Sequence, residues 1–326
     1  MTSRRPDGPA WDCVVVGGGP AGLSAALMLG RCRRRVLVCD LGAPRNWWSR
    51  EVHGFLTRDG TPPAELLRLA REELRRYESV ELRHADVVDA VRNADGFALR
   101  CADGTRLQSR KLLLATGVVD ELPEIEGLAP LYGLSVHHCP YCDAWEWRDQ
   151  PIAVYGRGEA GAGLALALTV WTDDLALCTD GPGELPEHMW EQLDAVGVVL
   201  HEERVLRLEG SDGRLERVVF ADGSGVACRA LFLATGHHQR SDLPRRLGCA
   251  FTDSGAVNTG KCESTNVPGL YVCGDASREA QFVVVAAAEG AEAGMAVNQA
   301  LVREDLARLG PQRRSSKPSR TSLGAP

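Results

Sequence analysis

Two cysteines, Cys139 and Cys142, stand three positions apart in the sequence and are followed directly by Asp143. A pair with this spacing at the start of a helix can close a small disulfide, and a helix dipole with neighbouring charges lowers the pKa of such thiols. The chain has 11 cysteines, but the others form no second C-x-x-C motif. The pair therefore predicts thiol–disulfide redox chemistry, in which the Asp143 carboxylate can carry a proton.

Other roles are open for these residues. A structural zinc site takes four ligands, and the adjacent His137 and His138 could join the two sulfurs. We nevertheless predict no metal, because a spaced histidine pair or a second C-x-x-C is missing; a purely structural disulfide is disfavoured in a reducing compartment. His138 is a candidate base for an incoming thiol, with an ordinary solvent-facing histidine as the alternative. For Asp143 the alternative role is favourable charge in the first helical turn.

A glycine-rich turn follows the first predicted strand, residues 12–16, and opens a helix that runs to about Gly30. The next predicted strand, residues 36–39, ends in an acidic residue. A G-x-G-x-x-G turn in this context lets the backbone approach a pyrophosphate, and the acid bonds the ribose hydroxyls. This context favours a dinucleotide site over a glycine-rich turn without a ligand. The predicted binding residues are Gly17, Gly19, Pro20, Ala21, Gly22 and Asp40.

A second turn of the same form, residues 156–161, follows a predicted strand at 152–155, and a helix is predicted over 163–171. An NADP site would need arginines after the next strand to pair with the 2′-phosphate. The sequence there has Asp180 and no arginine before Arg204. NADPH is therefore disfavoured, NADH would be tolerated, and a vestigial second fold without a nucleotide is equally open.

The order of elements recurs on the scale of a domain. A predicted strand at 111–114 ends in Ala-Thr-Gly after a hairpin-like region at 81–107, and the second half ends in the same triplet at 234–236. Strand–helix–strand openings imply parallel sheets. The predicted fold class is therefore α/β, with two Rossmann-like dinucleotide-binding domains.

Composition excludes several classes of function. The 326 residues carry 37 basic and 44 acidic side chains, a net charge of −7, which gives no electrostatic support for binding nucleic acid. No apolar run of about 18 residues predicts a membrane span. The polar first ten residues do not resemble a secretory signal, so we expect a cytoplasmic protein.

Together these motifs resemble those of low-molecular-weight thioredoxin reductases over about residues 11–308. The shared features are the first glycine-rich turn, both Ala-Thr-Gly triplets, the C-x-x-C-D motif and the segment 265–275. The resemblance implies three-layer ββα domains with a discontinuous FAD domain, formed by 11–118 and 239–310. An NAD(P)-type domain at 119–238 would carry the redox pair. We expect disordered tails at 1–10 and 311–326.

The resemblance also implies residue roles. Cys142 would face the flavin and Cys139 would exchange with substrate. Asp275 would bond the ribityl chain of FAD, and Gln281 would lie beside the isoalloxazine ring. Further expected FAD contacts are Asn46, His53, Ala115, Thr116, Gly117, Gly274 and Phe282.

Three features depart from the thioredoxin reductase pattern. The arginine-rich NADPH signature is missing, Pro140 and Tyr141 replace the small residues between the cysteines, and residues 53–60 replace the usual flavin-flanking segment. These departures are similar to the subgroup of dithiol oxidases that close the disulfides of gliotoxin and holomycin. In that subgroup electrons run from a small dithiol through the cysteine pair and FAD to O₂, giving hydrogen peroxide.

Two other functions stay open at this point. The first is an NAD(P)H-dependent reductase of a protein disulfide such as thioredoxin, in which electrons flow the opposite way. The second is a flavin-bound redox sensor without enzymatic turnover. In each case the resemblance implies a homodimer.

Overall fold

The computed structural model describes residues 10–309 and contains two main sheets, each with parallel strands around a glycine-rich turn. This architecture confirms the predicted α/β, Rossmann-like fold class. The strands are β1 (Trp11–Val16), β2 (Val36–Asp40), β3 (Val80–His84), β4 (Val87–Asn93), β5 (Gly96–Cys101), β6 (Arg106–Leu114), β7 (Val118–Asp120), β8 (Val136–His137), β9 (Ile152–Tyr155), β10 (Leu175–Cys178), β11 (Val199–His201), β12 (Val205–Ser211), β13 (Arg214–Phe220), β14 (Gly225–Ala227), β15 (Ala230–Leu233), β16 (His237–Gln239) and β17 (Leu270–Val272). The helices are α1 (Pro20–Arg31), α2 (Pro63–Leu74), α3 (Pro140–Asp143), α4 (Gly158–Leu168), α5 (Glu187–Ala195), α6 (Leu243–Arg246) and α7 (Val283–Leu309).

The first sheet has the strand order β3-β2-β1-β6-β5-β4, and β17 pairs with the carboxyl half of β6. β1, β2, β3, β6 and β17 run parallel, whereas β4 and β5 extend the sheet in antiparallel fashion. Helix α7 packs closely on α1. The closeness is evident at Gly290, where a Cβ would lie only 2.0 Å from the carbonyl oxygen of Ala21. This close packing holds the start of α7 beside the first glycine-rich turn.

The second sheet has the order β11-β10-β9-β15-β8 with all strands parallel, and β12, β13 and β14 form a separate antiparallel sheet. A short antiparallel pair, β7 with β16, joins the chain segments that enter and leave this half of the molecule. Helix α3, which carries the redox pair, lies directly between β8 and β9 in the sequence. No helix within residues 10–309 is long and apolar enough to cross a membrane.

The hairpin-like region predicted at 81–107 is confirmed for β4, β5 and the start of β6, which pair in antiparallel fashion. Its first strand differs, because β3 pairs in parallel with β2, and β6 continues without a break to Leu114. One helix prediction was wrong. The helix predicted over 163–171 begins earlier, at Gly158, whose φ of +55° turns the chain directly from strand to helix. It ends at Leu168, and the Thr169 hydroxyl donates to the backbone of Leu166.

The domain limits at 118 and 239 stay a prediction. The expected disordered tails lie, except for residue 10, outside the described residues.

Candidate functional site

A cavity of about 320 Å³ opens where the carboxyl ends of β1, β2, β6 and β17 meet. Ligands of parallel α/β sheets bind at this edge, beyond the ends of the strands. Every predicted cofactor and redox residue except Gly22 lines the cavity: Gly17, Gly19, Pro20, Ala21, Asp40, Asn46, His53, Ala115, Thr116, Gly117, His138, Cys139, Cys142, Asp143, Gly274, Asp275, Gln281 and Phe282. The tertiary structure thus brings together residues from both halves of the chain.

The first glycine-rich turn is shaped by two close approaches and one open position. Gly17 has a φ of +107°, and a Cβ there would lie 2.2 Å from the carbonyl oxygen of Ala115. Gly22 lies behind the turn, where a Cβ would meet the carbonyl oxygen of Gly17 at 1.9 Å. Gly19 differs, because nothing lies within 4 Å of its ideal Cβ position. Its missing side chain therefore leaves space above the amino end of α1, where a pyrophosphate group would be favoured.

The residues at this edge fit FAD. The Thr116 hydroxyl is buried and has no hydrogen-bond partner among residues 10–309, although a buried polar group normally has one. It lines the cavity, so a bound ligand could satisfy it. Asp40 Oδ1 accepts a hydrogen bond of 3.0 Å from the backbone of Gly18, and Asp40 Oδ2 lies 3.0 Å from Arg71. The carboxylate is thereby held at the end of β2.

The two residues expected to contact the flavin, Asp275 and Gln281, are both bonded to Arg45. Arg45 Nη1 lies 3.0 Å from Asp275 Oδ2 and also donates to Gln281, while its other nitrogens bind Asp120. Burial would raise the pKa of Asp120, but the Arg45 hydrogen bond, the charge of His138 and the Tyr132 hydroxyl together lower it. Arg45 therefore ties the candidate flavin contacts to the segment that leads into the redox pair.

Sequence reasoning did not identify Arg45. It directly precedes Asn46, a predicted contact, and its place between Pro44 and the Trp47–Trp48 pair was the one available signal. A second missed residue is Glu289, whose Oε2 accepts a 2.8 Å hydrogen bond from the backbone of Gly274. Since Glu289 is buried on α7, it fixes the turn that presents Asp275 to the cavity.

Cys139 and Cys142 form a disulfide at the start of α3. The backbone N–H groups of Cys142 and Asp143 both lie 3.2 Å from the carbonyl oxygen of Cys139, and Pro140 occupies the first helical position. Proline suits that position because its fixed φ matches the helix and no N–H group is required there. Cys139 and Cys142 are both half-buried. They line the same cavity as the first glycine-rich turn.

His137 orients Asp143. Trp147 Nε1 donates a 3.1 Å hydrogen bond to His137 Nε2, and an indole N–H can only donate. Neutral His137 therefore carries its hydrogen on Nδ1, which lies 3.3 Å from Asp143 Oδ1. Since His137 is buried, this contact holds the carboxylate beside the redox pair.

The other predicted residues at the rim have distinct surroundings. The His53 ring lies between three carboxylates, with Nε2 3.5 Å from Glu51 and 3.6 Å from Glu146, and Nδ1 3.5 Å from Asp59. Glu146 follows the redox pair in the sequence, so His53 connects the two halves of the molecule. The ring of Phe282 packs edge-on against Tyr141, with centroids 6.2 Å apart.

The second glycine-rich turn is covered by its own arginine. Arg157 Nε donates a 2.6 Å hydrogen bond to the carbonyl oxygen of Thr179, and its Nη2 donates to that of Asp180. Asp180 Oδ1 accepts the backbone N–H of Val205 at 2.7 Å, and Asp180 Oδ2 accepts the Tyr155 hydroxyl at 3.2 Å. Both carboxylate oxygens of Asp180, the residue that could bond a ribose, therefore already accept hydrogen bonds from within the protein.

Comparisons with known proteins agree with this arrangement. The family model of pyridine nucleotide-disulphide oxidoreductases matches residues 11–290. A probable thioredoxin reductase of Arthroderma benhamiae is 32% identical over 86% of this chain and 78% of its own length. Thioredoxin reductase aclD of Aspergillus oryzae is 31% identical over 92% of this chain and 99% of its own. The resemblance to thioredoxin reductases is thereby confirmed.

Two solved structures are also similar. HlmI has a TM-score of 0.89 and 38% identity, and the match covers 94% of this chain and 96% of HlmI. A putative thioredoxin reductase TrxB from Bacillus anthracis has a TM-score of 0.86 and 30% identity, over 90% of this chain and 99% of its own.

Proposed function

This chain belongs to the pyridine nucleotide-disulphide oxidoreductase family, and we propose that within it the chain is a dithiol oxidase. The substrate is a small dithiol that leaves as an intramolecular disulfide, with O₂ as the electron acceptor and hydrogen peroxide as the second product. The observation that carries this proposal is the contrast between the two turns. The first shares a cavity with the Cys139–Cys142 disulfide. At the second, where an NAD(P)H would deliver electrons, Arg157 covers the turn and Asp180 is bonded to internal partners.

The proposed reaction begins at Cys139. A substrate thiolate attacks its sulfur, the bond to Cys142 breaks, and Cys142 leaves as a thiolate. The second substrate thiol then attacks the first substrate sulfur, which closes the substrate disulfide and releases Cys139. Bound FAD would supply the electron acceptor that restores the Cys139–Cys142 bond and passes two electrons to O₂. Two protons and two electrons leave the substrate and end in hydrogen peroxide.

The polar residues around the pair support proton transfer. Asp143 is held by His137 directly after Cys142, and His138 lies directly before Cys139 and lines the cavity. His138 is exposed at the cavity wall, and desolvation by the protein atoms around it lowers the pKa of its ring below the usual value. A neutral imidazole at this position can accept a thiol proton near neutral pH.

The departures from the thioredoxin reductase pattern, Pro140 and Tyr141 between the cysteines and the segment at residues 53–60, support the small-molecule substrate. Within this proposal the protein is cytoplasmic and forms a homodimer, and residues 11–118 with 239–310 form one FAD domain around the inserted redox domain.

The alternative is an NAD(P)H-dependent thioredoxin reductase. It is favoured by the relatives from Arthroderma benhamiae and Aspergillus oryzae, which are named as a probable thioredoxin reductase and a thioredoxin reductase. Electrons would then run from a nucleotide at the second turn to FAD, the cysteine pair and thioredoxin.

Two measurements on the FAD-loaded protein separate these functions. The first records oxygen uptake and peroxide formation with dithiothreitol, and the dithiol oxidase must turn over many times. The second mixes the protein anaerobically with NADH or NADPH and follows the flavin absorbance. Prompt bleaching by either nucleotide, together with thioredoxin reduction, would contradict the proposal and support the reductase.

A further inference from the structure

The histidine next to the redox pair is hydrogen-bonded into a chain of three other side chains. His138 Nδ1 lies 3.2 Å from the Tyr132 hydroxyl oxygen, and that oxygen lies 3.1 Å from Asp120 Oδ2. Asp120 is in turn bound by Arg45. The side chains of Tyr132, Asp120 and Arg45 are largely buried, and the Tyr132 and His138 rings stack with centroids 6.3 Å apart.

The direction of these hydrogen bonds follows from the charges. Burial raises the pKa of Asp120, but the hydrogen bond and charge of Arg45, the charge of His138 and the Tyr132 hydroxyl together lower it, so Asp120 stays an acceptor at neutral pH. Burial, together with the charge of Asp120, raises the pKa of Tyr132, so the phenol keeps its single proton. That proton goes to Asp120, since an ionised carboxylate can only accept. The phenol oxygen can then only accept from His138.

We propose that Tyr132 is a positioning residue that fixes His138 as the Nδ1–H tautomer, so that Nε2 is the base for the incoming substrate thiol. This inference rests on the proposed dithiol oxidation. One proton moves from the substrate sulfur to His138 Nε2, and the resulting thiolate attacks Cys139. The electron pair of the broken disulfide bond leaves with Cys142 as its thiolate.

The charges that face His138 set the pH range of this base. Desolvation lowers its pKa, Arg45 and His137 lower it further, and the carboxylates of Asp120 and Asp143 oppose them. The neutral base is present above this lowered pKa and is lost as the pH falls through it, so kcat/KM decreases on the acid side. Removing the negative charge of Asp120 lowers the pKa again and moves the acid limb to lower pH.

The test uses FAD-loaded protein with ¹⁵N-labelled histidine and dithiothreitol as the substrate. The variants are Tyr132→Phe, Asp120→Asn and His138→Gln. The matched control is Tyr155→Phe, which removes a hydroxyl that also donates to an aspartate, at 3.2 Å, but in the second sheet. Oxygen uptake gives kcat/KM as a function of pH, and the difference between ¹⁵N spectra of the unaltered protein and His138→Gln isolates the His138 ring.

In the unaltered protein we expect Nδ1 to carry the hydrogen at neutral pH. Tyr132→Phe is expected to mix the tautomers and to lower kcat/KM about tenfold, the effect of one hydrogen bond to a reacting group. Asp120→Asn keeps an oxygen that accepts the phenol proton, so it is expected to keep the tautomer and shift the acid limb downward. Tyr155→Phe is expected to change neither readout.

The inference is overturned if Tyr132→Phe keeps a single Nδ1–H tautomer, or if its kcat/KM matches that of Tyr155→Phe. It is also overturned if the acid limb of Asp120→Asn does not move. A lack of dithiol-dependent oxygen uptake by the unaltered protein would instead contradict the proposed function. In that case the ¹⁵N spectra still decide whether Tyr132 fixes the His138 tautomer. Mixed tautomers in the unaltered protein would then overturn the positioning role of Tyr132 as well.

Discussion

The two glycine-rich turns have the same form, but the space above them differs. The first opens into a cavity of about 320 Å³, with nothing within 4 Å of the ideal Cβ of Gly19. Above the second, Arg157 crosses to the carbonyl oxygens after β10, and a Cβ on Gly181 would lie 2.8 Å from its Nη2. Two well-formed cavities within residues 10–309, of about 320 and 230 Å³, are both lined by residues of the first half, including Gly18 and Asp40.

This difference shows that the motif defines a backbone shape and not an occupied site. In both halves the turn joins a strand to a helix, and an acid ends the next strand or follows it. Asp40 binds the turn itself, whereas Asp180 binds Tyr155 and Val205. The second half contributes its redox helix α3 to the cavity of the first half instead.

The largest expected effect is for substitutions of the two cysteines of helix α3. Cys139→Ser or Cys142→Ser should lower dithiol-dependent oxygen uptake about a thousandfold or more, because serine cannot form the exchanging disulfide. Cys32→Ser is the matched control, since Cys32 is an exposed free cysteine and its loss should leave turnover unchanged. Full turnover in Cys139→Ser or Cys142→Ser would contradict the redox role of α3.

A pair of valine substitutions compares the turns directly. Gly19→Val should weaken FAD binding about a hundredfold, because the new side chain occupies the open space above α1. Gly158→Val should leave FAD binding unchanged but lower the free energy of unfolding by about 1–3 kcal/mol, since its φ is +55°. Flavin fluorescence titration and denaturant unfolding measure the two effects. Equal FAD affinities of Gly19→Val and Gly158→Val would contradict the proposed difference between the two turns.

The two acids provide a smaller contrast. Asp40→Asn should weaken FAD binding about tenfold, the effect of weakening one charged hydrogen bond to a ribose. Asp180→Asn should instead lower the free energy of unfolding by about 1 kcal/mol, because Asp180 accepts the Val205 backbone N–H and the Tyr155 hydroxyl. The same titration and unfolding experiments apply, and a loss of FAD affinity in Asp180→Asn would contradict the comparison.

The smallest effect is expected for Arg157→Ala. The side chain is about half exposed, at 52%, so its loss should change the free energy of unfolding by less than about 1 kcal/mol. NADH should still fail to bleach the flavin anaerobically, because Asp180 keeps its internal partners. Rapid bleaching in this variant alone would mean that Arg157 by itself closes the second site.

Sequence reasoning identified most of the residues that line the cavity because they belong to short motifs. The Gly17–Gly22 turn, the Ala115–Gly117 triplet and the Cys139–Cys142 pair each have a fixed local spacing. Arg45 and Glu289 were missed because their partners belong to no motif spacing: Asp275 is 230 residues from Arg45, and Gly274 is 15 residues from Glu289. The start of α4 was misplaced because Gly158 itself begins the helix.

The sequence by itself determined the order of strands and helices, the α/β class and the pairing of two nearby cysteines, since neighbouring residues and their periodicity control these features. Only the tertiary structure decided that α3 lines the first cavity, that Arg157 covers the second turn and that Tyr132 bonds His138 and Asp120. The physical reason is that each of these arrangements depends on which surfaces pack together. A side chain's hydrogen-bond partner is then whichever polar group the packing places within about 3 Å.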